Sequence, residues 1–175
     1  MSTNIFTSIP FGKETFHPIR YDASVFEMDY TIQAGAGVPS HVHNHMQEKF
    51  IILDGEMTFT MDGKKEVRQA GDEIIIPMGT VHAIKNTGKT IASMKVSFEP
   101  CADTHRFFEI YVELEKDHPK SSLNIMKYFY LVKALGLKEF SSIHPPFMMR
   151  TLNGMIQLMG AIQGWHKLIP KFTSK

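Results

Sequence analysis

Two histidines and a carboxylate lie close together in the middle of the chain, at a spacing that suits metal binding. The segment GAGVPSHVHNHMQEKFIILDG carries His41, His43 and Glu48. On a strand, residues two apart share a face, so His41 and His43 would point the same way and could chelate one ion. A hairpin would bring Glu48 back beside them on the neighbouring strand. Downstream, GDEIIIPMGTVHAIKN places His82 just after a Pro-x-Gly turn, on what would be an adjacent strand.

Three imidazoles and one carboxylate form a mixed nitrogen and oxygen donor set. Such a set suits a divalent transition metal, namely Fe, Mn, Zn, Ni or Cu, and octahedral coordination would leave two positions for water, substrate or dioxygen. A closed structural zinc site would have no reason to lie in a cavity. The residue types alone also fit surface histidines beside turns, and they do not identify the metal.

The two segments together resemble the paired motifs of the cupin superfamily. The first motif, G-x5-H-x-H-x3-4-E-x6-G, and the second, G-x5-P-x-G-x2-H-x3-N, are both matched without a substitution. The resemblance covers roughly residues 25 to 98. It implies an all-β core, a double-stranded β-helix or jelly-roll barrel, in which His41, His43, Glu48 and His82 converge on one divalent metal in the barrel mouth. The motif glycines and Pro77 would then turn the chain at strand ends.

This resemblance favours a metal-dependent enzyme that acts on a small organic molecule. The metal would act as a Lewis acid or as the site of oxygen activation, and Glu48 would be the catalytic group that relays a proton. Dioxygenases of the quercetinase type are the favoured class, with cupin isomerases and decarboxylases as close rivals. A non-catalytic binding or sensing barrel is the alternative, and a wholly apolar pocket would favour it; such a pocket would be built from Phe26, Tyr30, Phe59 and Phe98.

Other polar residues near the motifs carry less weight. His45 continues the alternation after His43, so it is either an alternate ligand, a group that orients a ligand, or a loop histidine at the barrel rim. Gln47 should face away from Glu48 on a strand, and Cys101 is expected to be a small buried residue. The histidines without ligand spacing are interpreted as structural or exposed: His17, His105, His118, His144 and His166.

The elements that must position these residues are strands in the first hundred residues. Phe26, Met28, Tyr30 and Ile32 alternate with polar residues, which indicates a half-buried strand. Short apolar runs follow at close spacing, separated by turn signals such as Asp62-Gly63, a strong hairpin signal. Many short strands with frequent turns predict a sandwich or a barrel, and periodicity alone does not choose between them.

Helices are predicted after residue 100. Apolar residues with helical spacing begin at Phe107, and a second helix is expected to start after Ser121 or Ser122 and to stop at Gly136. Pro145-Pro146 opens a third helix with a continuous apolar stripe, which Pro170 should end. The methionines of this region are expected to fill gaps where the helices pack on the barrel or across a dimer interface; they are Met126, Met148, Met149, Met155 and Met159.

Charge divides the 175 residues in the same way as periodicity does. Residues 1–100 carry 9 Lys and Arg against 12 Asp and Glu, net −3, whereas residues 101–175 carry 10 against 6, net +4. We therefore predict a barrel domain at 1–100 and a helical C-terminal extension at 101–175. The basic, amphipathic tail also allows peripheral contact with an anionic membrane, or a lid that narrows the barrel mouth and supplies Arg150 or a lysine to an acidic substrate.

Composition excludes several classes of protein. A single cysteine rules out a disulfide framework and a Cys-rich zinc module. No Walker A, G-x-G-x-x-G, H-E-x-x-H or G-x-S-x-G motif occurs, and the near-zero net charge of +1 gives no indication of nucleic acid. The first residues lack the features of a secretory signal, so a cytoplasmic location is expected. A homodimer is expected from the family resemblance and from the apolar tail.

Overall fold

The computed structural model describes residues 5–119, 121–137, 141–142 and 146–173, with the side chains of 141–142 and 146–149 excepted. Two compact units are present among them. One contains the described residues up to His105 together with the strand at 141–142, and the other contains the described residues from Arg106 onward apart from that strand. The first is rich in strands and the second in helices.

The strand unit is built from short strands, as the alternating sequence predicts. The residues from Phe26 to Ile32 show strict alternation of buried and half-buried side chains. A side chain that points inward at every second position is the expected result of the strand's period of two. The strands are β1 (Ile9–Phe11), β2 (Glu14–Tyr21), β3 (Phe26–Ile32), β4 (Gly37–Val42), β5 (Gln47–Asp54), β6 (Glu56–Met61), β7 (Lys64–Gln69), β8 (Glu73–Ile76), β9 (His82–Lys85), β10 (Ala92–Glu99) and β11 (Ser141–Ser142).

These strands form two antiparallel sheets. One sheet has the order β1-β2-β3-β10-β5-β8, and the other has the order β11-β4-β9-β6-β7. Strands that follow one another in the chain often lie in different sheets, as β4 and β5 do. This topology confirms the double-stranded β-helix, or jelly-roll barrel, with C-terminal helices that the sequence predicted.

The hairpin between β6 and β7 follows from its two turn residues. Asp62 and Gly63 both have positive φ, at 46° and 82°, and Met61 pairs with Lys64 across the turn. Two central residues with positive φ define the type I′ turn, whose twist matches that of the flanking strands. The Asp62-Gly63 signal in the sequence is therefore confirmed.

The interior of the barrel is filled mainly by large apolar side chains from both sheets. Phe26, Phe50 and Phe59 are almost completely buried, and the rings of Phe50 and Phe59 meet edge to face at 5.0 Å. An edge-to-face pair is favourable because the positive ring edge meets the negative ring face. Five polar residues of the motifs are buried here as well: His41, His43, Glu48, His82 and Asn86.

The helical unit largely follows the predicted boundaries. Its helices are α1 (Thr104–Asp117), α2 (Leu123–Ala134), α3 (Pro146–Gln163) and α4 (Ile169–Thr173), with a 3₁₀ turn at Trp165–Leu168. Ser122 precedes α2, and Gly136 follows it in the left-handed region at φ 68°. No helix within the described ranges is both long and apolar enough to cross a membrane.

The predicted end of the third helix is wrong. α3 ends at Gln163 because Gly164 adopts φ 73°, a left-handed conformation that closes a helix C-terminus. Pro170 instead lies in the first turn of α4, where its missing N–H costs no helical hydrogen bond. The glycine was the stop signal, and the proline marks the start of the next helix.

A separate apolar cluster holds the helical unit together. Ile110, Leu131, Ile156 and Trp165 are buried in it, and Trp165 meets Tyr130 edge to face at 5.8 Å. Met126 and Met159 pack against this cluster within the helical unit, whereas the sequence predicted that they fill gaps against the barrel or across a dimer interface. Met155 does not, because its side chain is 66% exposed. The side chains of Met148 and Met149, together with Pro145 and His144, lie outside the described residues.

Candidate metal centre

Two of the motif histidines are directly opposite each other in one sheet. His41, near the end of β4, pairs in register with His82, the first residue of β9, and their ring centroids are 4.1 Å apart. Residues directly opposite in an antiparallel pair present their side chains on the same face. The prediction that His82 lies on the strand adjacent to His41 is therefore confirmed. His43 lies just beyond the end of β4, and its ring centroid is 4.9 Å from that of His41.

Glu48 reaches the histidines from the other sheet. The predicted hairpin between its strand and that of His41 is wrong, since β4 pairs with β9 and β11, whereas β5 pairs with β10 and β8. The chain crosses from one sheet to the other between His43 and Gln47. Glu48 Oε2 lies 3.0 Å from His82 Nε2 and 3.7 Å from His43 Nε2. The cluster thus lies between two sheets.

All four side chains are buried and close together. His41, His43, Glu48 and His82 are 4%, 5%, 6% and 1% exposed, and one nitrogen or oxygen atom from each lies within 4.8 Å of the others. Burying four polar groups in an apolar barrel is costly unless they bind one another or a metal. The cluster could hold a metal ion.

The protonation of two histidines can be assigned from their contacts. Nδ1 of His41 lies 2.8 Å from the Pro39 carbonyl oxygen, and Nδ1 of His82 lies 3.0 Å from the Thr80 carbonyl oxygen. A carbonyl oxygen only accepts, so each Nδ1 must carry the proton and donate it. Each Nε2 is then the nitrogen available to a metal, and the backbone carbonyls fix the ring orientations.

The environment shifts the pKa values of these two histidines in opposite directions. Burial, together with the neighbouring charge of His82, lowers the pKa of His41 to about 4. Burial also opposes the charged form of His82, but the hydrogen bond and negative charge of Glu48 outweigh it and raise the pKa of His82. His41 is therefore neutral at neutral pH, whereas Glu48 favours the protonated form of His82.

These residues fit a divalent transition metal. Three imidazoles and one carboxylate are the borderline and hard donors that Fe, Mn, Zn, Ni and Cu accept. His82 Nε2 and Glu48 Oε2 face each other at 3.0 Å, so both atoms can bind one cation between them. A metal there would displace any proton that the two atoms share and would use the same lone pairs.

A phenylalanine forms the apolar wall beside the cluster. Phe98 meets the His43 ring almost edge on, with centroids 5.5 Å apart, and its position on β10 pairs with Glu48 on β5. Phe98 was predicted to line an apolar pocket, but nothing in the sequence indicates its contact with His43, which depends on the register between β10 and β5. Phe26 and Phe59, named with it, are fully buried in the barrel core.

The barrel interior is not wholly apolar. Tyr30, on β3, is 2% exposed, and this burial is the main reason why its pKa is raised. The Glu14 and Glu48 carboxylates raise the pKa of Tyr30 further. Glu14 lies on β2 opposite Ile32, and burial raises the pKa of its carboxyl while the Tyr30 hydroxyl offsets part of the rise. Glu14 was missed from the sequence, although its alternation with the half-buried Phe16 could have placed it on the inner face.

The remaining polar residues near the motifs lie outside the cluster. His45 is exposed in the bend after β4, so of its three interpretations the loop histidine agrees best. The alternation ends with the strand at Val42 and does not extend to it. The Gln47 amide donates to Glu99 at 3.1 Å on the exposed side of the sheet, opposite to Glu48 as expected.

Asn86, the last motif residue, has a role in holding the backbone. It is fully buried; Nδ2 donates to the carbonyl oxygens of Ile32 at 3.0 Å and Thr90 at 2.8 Å, and Oδ1 accepts from the Gly88 N–H at 3.0 Å. One side chain therefore ties the end of β3 to the turn after β9. Since β9 begins with His82, Asn86 helps to fix the strand that carries this histidine.

A second concave region lies apart from the cluster. A surface pocket of about 360 Å³ is lined by residues that include Tyr21, Cys101 and His105. Cys101 is buried, as expected, with Sγ 3.7 Å from His105 Nδ1, and the His105 ring stacks on Tyr21 at 4.7 Å. The interpretation of His105 as a structural histidine agrees with these contacts.

Comparison with known proteins identifies the class of this barrel. Residues 28–98 match the family model described as Cupin domain. The solved structure of KdgF from Halomonas sp. has a similar fold, with a TM-score of 0.53 and 15% identity over 57% of this chain and 90% of that chain. Residues 28–98, which carry the buried histidine cluster, are therefore a cupin domain.

Curated relatives match this chain over short segments. Quercetin 2,3-dioxygenase of Bacillus subtilis (strain 168) is 37% identical over 51 residues, which are 29% of this chain and 15% of the relative. Mannose-1-phosphate guanylyltransferase of Salmonella montevideo is 29% identical over 83 residues, 44% of this chain and 18% of the relative. The chain thus spans less than a fifth of the length of these two relatives, whose names denote different activities.

Proposed function

We propose that this protein is a metal-dependent cupin enzyme that acts on a small organic molecule. The observation that carries the proposal is the buried cluster of His41, His43, Glu48 and His82, whose ligand atoms lie within 4.8 Å of one another. Polar groups inside the barrel also support an enzyme over a storage protein, because Tyr30 and Glu14 provide hydrogen-bonding and acidic groups beside an apolar wall.

Within this class we propose a dioxygenase of the quercetinase type. The support is the similarity to quercetin 2,3-dioxygenase, 37% identical over the matched segment, and a donor set that accepts the redox-active metals of such enzymes. Cupin isomerases and decarboxylases use the same kind of cluster and are the rival reactions. The substrate class is a small molecule with an ionisable hydroxyl group, which Glu48 can deprotonate.

Each residue of the cluster has a proposed role. His41, His43, Glu48 and His82 would hold one divalent metal, which when bound supplies a Lewis acid and a site for oxygen activation. Glu48 Oε2, 3.0 Å from His82 Nε2, is also placed to accept a proton, so we assign it as the general base. Phe98 excludes water on the His43 side.

Metal content is the first test of this proposal. The purified protein should contain close to one transition metal per chain by mass spectrometry, and the His43→Ala variant should lose it. His45→Ala is the matched control, because His45 is a neighbouring exposed histidine outside the cluster. A metal-free wild type that still binds the organic ligand would refute the enzyme and support a binding or sensing barrel.

Oxygen consumption tests the reaction class. With a flavonol substrate, the metal-loaded protein should consume dioxygen. The Glu48→Gln variant should retain the metal, because the amide still offers an oxygen ligand, but it should lose turnover, because an amide cannot accept the proton. Metal-loaded protein that converts candidate substrates without consuming oxygen would point instead to an isomerase or a decarboxylase. Equal turnover of Glu48→Gln and wild type would exclude Glu48 as the base.

The proposed assembly is a homodimer with a small-molecule ligand as its partner. The support is the cupin membership of residues 28–98 and the amount of exposed apolar surface. Light scattering on purified protein at several concentrations measures the mass directly. A single mass near 19.9 kDa at every concentration would show a monomer.

A further inference from the structure

One face of α3 presents a row of large apolar side chains to solvent. Leu152, Met155, Leu158 and Ile162 are 47%, 66%, 64% and 78% exposed. At 3.6 residues per turn these four positions fall within an arc of about 120° on the helix surface. The other described helices of the same unit therefore leave these four side chains exposed.

The opposite face of α3, which packs inside the helical unit, is less apolar than the exposed face. Ile156 packs into the buried cluster and Gly160 lies against Tyr130, but Asn153 and Gln157 are half-buried on the inner side. A surface helix of a globular protein normally has its apolar stripe inside and its polar residues outside. In α3 much of the apolar stripe that the sequence predicted faces outward. A contiguous exposed apolar row of this kind marks an interaction surface.

The part of the chain that contains α3 is basic. Within the described residues that follow Asp117, up to Thr173, there are no acidic side chains. Lys133, Arg150 and Lys167 are exposed, and none of the three forms an ion pair with a described residue. Lys171 is the exception, because it pairs with Glu113 at 3.1 Å and Asp117 at 3.0 Å. The described residues after Asp117 thus combine an exposed apolar row with cations that have no ion-pair partner among the described residues.

We propose that α3 docks in the plane of an anionic membrane surface. Leu152, Met155, Leu158 and Ile162 would insert at the boundary between headgroups and acyl chains, and the exposed cations of the same unit would be attracted to the anionic headgroups. The helix is too short and too polar to span a bilayer, as the absence of a spanning helix among the described residues shows, so it lies parallel to the surface.

Charge complementarity favours a lipid surface over a second copy of this chain. Two copies that met through α3 would bring two positively charged units close together, and like charges near an interface are unfavourable. An anionic bilayer satisfies both features at once, since it accepts the apolar row and attracts the cations. A self-interface through α3 is therefore the competing outcome of the test.

Vesicle co-sedimentation with the full-length protein tests the proposal. We expect binding to vesicles that contain phosphatidylglycerol in phosphatidylcholine, little binding to pure phosphatidylcholine, and weaker binding in high salt. The double variant Leu158→Gln with Ile162→Gln should lower the partition coefficient at least tenfold. The matched control is Leu53→Gln with Ile91→Gln, which replaces two apolar residues of the barrel that are also more than half exposed.

A charge variant and a mass measurement complete the design. Replacing Lys133, Arg150 and Lys167 by Gln should weaken binding to the anionic vesicles while circular dichroism and the melting temperature stay unchanged. The proposal is overturned if wild type does not bind the anionic vesicles, or if the Leu158 and Ile162 variant binds as well as wild type. It is also overturned if that variant instead turns a dimer into a monomer by light scattering.

Discussion

Neighbouring histidines in the cluster differ in their readiness to bind metal. His41 donates through Nδ1 to Pro39, and its pKa of about 4 leaves Nε2 unprotonated at neutral pH. His82 has the same type of backbone contact, yet its pKa is raised because Nε2 faces the Glu48 carboxylate. Both histidines occupy motif positions, so the sequence does not distinguish them. Their pKa values differ because only His82 has a contact of 3.0 Å with Glu48 Oε2.

This difference predicts how metal affinity depends on pH. Metal must displace the His82 proton, and the raised pKa of His82 means that the proton is held to higher pH than in an ordinary histidine. Affinity should therefore fall about tenfold per pH unit below that pKa, and His41 should add nothing above about pH 5. Competition titrations with Zn²⁺ between about pH 5.5 and 8 measure it. If the affinity for Zn²⁺ did not change over this pH range, the assignment would be wrong.

Asn86 gives a second prediction at this scale. Asn86→Ala removes three hydrogen bonds and leaves the Ile32 and Thr90 carbonyls buried without their donor, so unfolding should become easier by about 3 kcal/mol. Urea denaturation measures this change. Asn44→Ala, at an exposed position in the bend before β5, is the control and should change stability by less than about 0.5 kcal/mol.

At the scale of elements, two glycines of α3 have opposite roles. A Cβ at Gly154 would contact nothing within 4 Å, whereas a Cβ at Gly160 would lie 2.5 Å from Tyr130 Cε2 and 3.1 Å from Trp165 Cε3. Gly160 therefore lets α3 approach α2 closely, and Gly154 only adds flexibility to an exposed turn. The two positions form a matched pair within one helix.

Alanine at these two positions should shift stability in opposite directions. Gly154→Ala should stabilise by about 0.5–1 kcal/mol because it restricts the unfolded chain and favours the helix. Gly160→Ala should destabilise by about 1–3 kcal/mol because the new methyl group overlaps a buried ring. Thermal unfolding followed by circular dichroism at the helix band compares the two. A lower melting temperature for both variants would refute the assignment of Gly154.

The elements also show what the sequence could and could not predict. The alternation in β3 and the Asp62-Gly63 signal correctly predicted a strand and a hairpin turn. The motif spacing correctly predicted that His41 and His82 lie on adjacent strands. The entry of Glu48 from the opposite sheet was missed, because strand pairing is set by contacts distant in sequence. The need for a glycine at position 37 was not predicted either, because it depends on the pairing of β4 with β9. A Cβ at Gly37 would overlap the Ile84 carbonyl and lie 3.0 Å from Lys85 Cα.

The orientation of α3 was the other failure. Its apolar spacing predicted a stripe but not which way the stripe faces, and Met155 was expected to fill a gap inside. Periodicity identifies the existence of an apolar face, whereas the partner of that face is a property of the folded molecule and its surroundings. Close contact at Gly160, visible only in three dimensions, fixes the rotation of this helix.

At the scale of the whole molecule, the proposed ligands all belong to the strand unit. We keep the proposal that a barrel at 1–100 and a helical extension at 101–175 are the domains. Each unit has its own buried core, one around Phe50 and Phe59 and one around Leu131 and Trp165. Binding to one unit should therefore stabilise mainly that unit.

Hydrogen exchange with and without metal tests this separation. Saturating metal, at about one hundred times its dissociation constant, should add about 2.7 kcal/mol to the native state that binds it. We expect slower amide exchange in β4, β5 and β9, which carry or adjoin the ligands, and unchanged exchange in α2 and α3. Equal protection of α2 and α3 by metal would show that the units unfold together.

The position of Glu48 on one sheet and of His41 and His82 on the other has a kinetic consequence. An ion held by these donors would be a crosslink between the two sheets, so neither sheet could move away without breaking a coordination bond. The ion would leave at the rate at which the two sheets transiently separate, so the half-life of metal exchange would measure the rate of that opening. Mutations that loosen the sheet interface far from the histidines would then shorten the residence time of the metal.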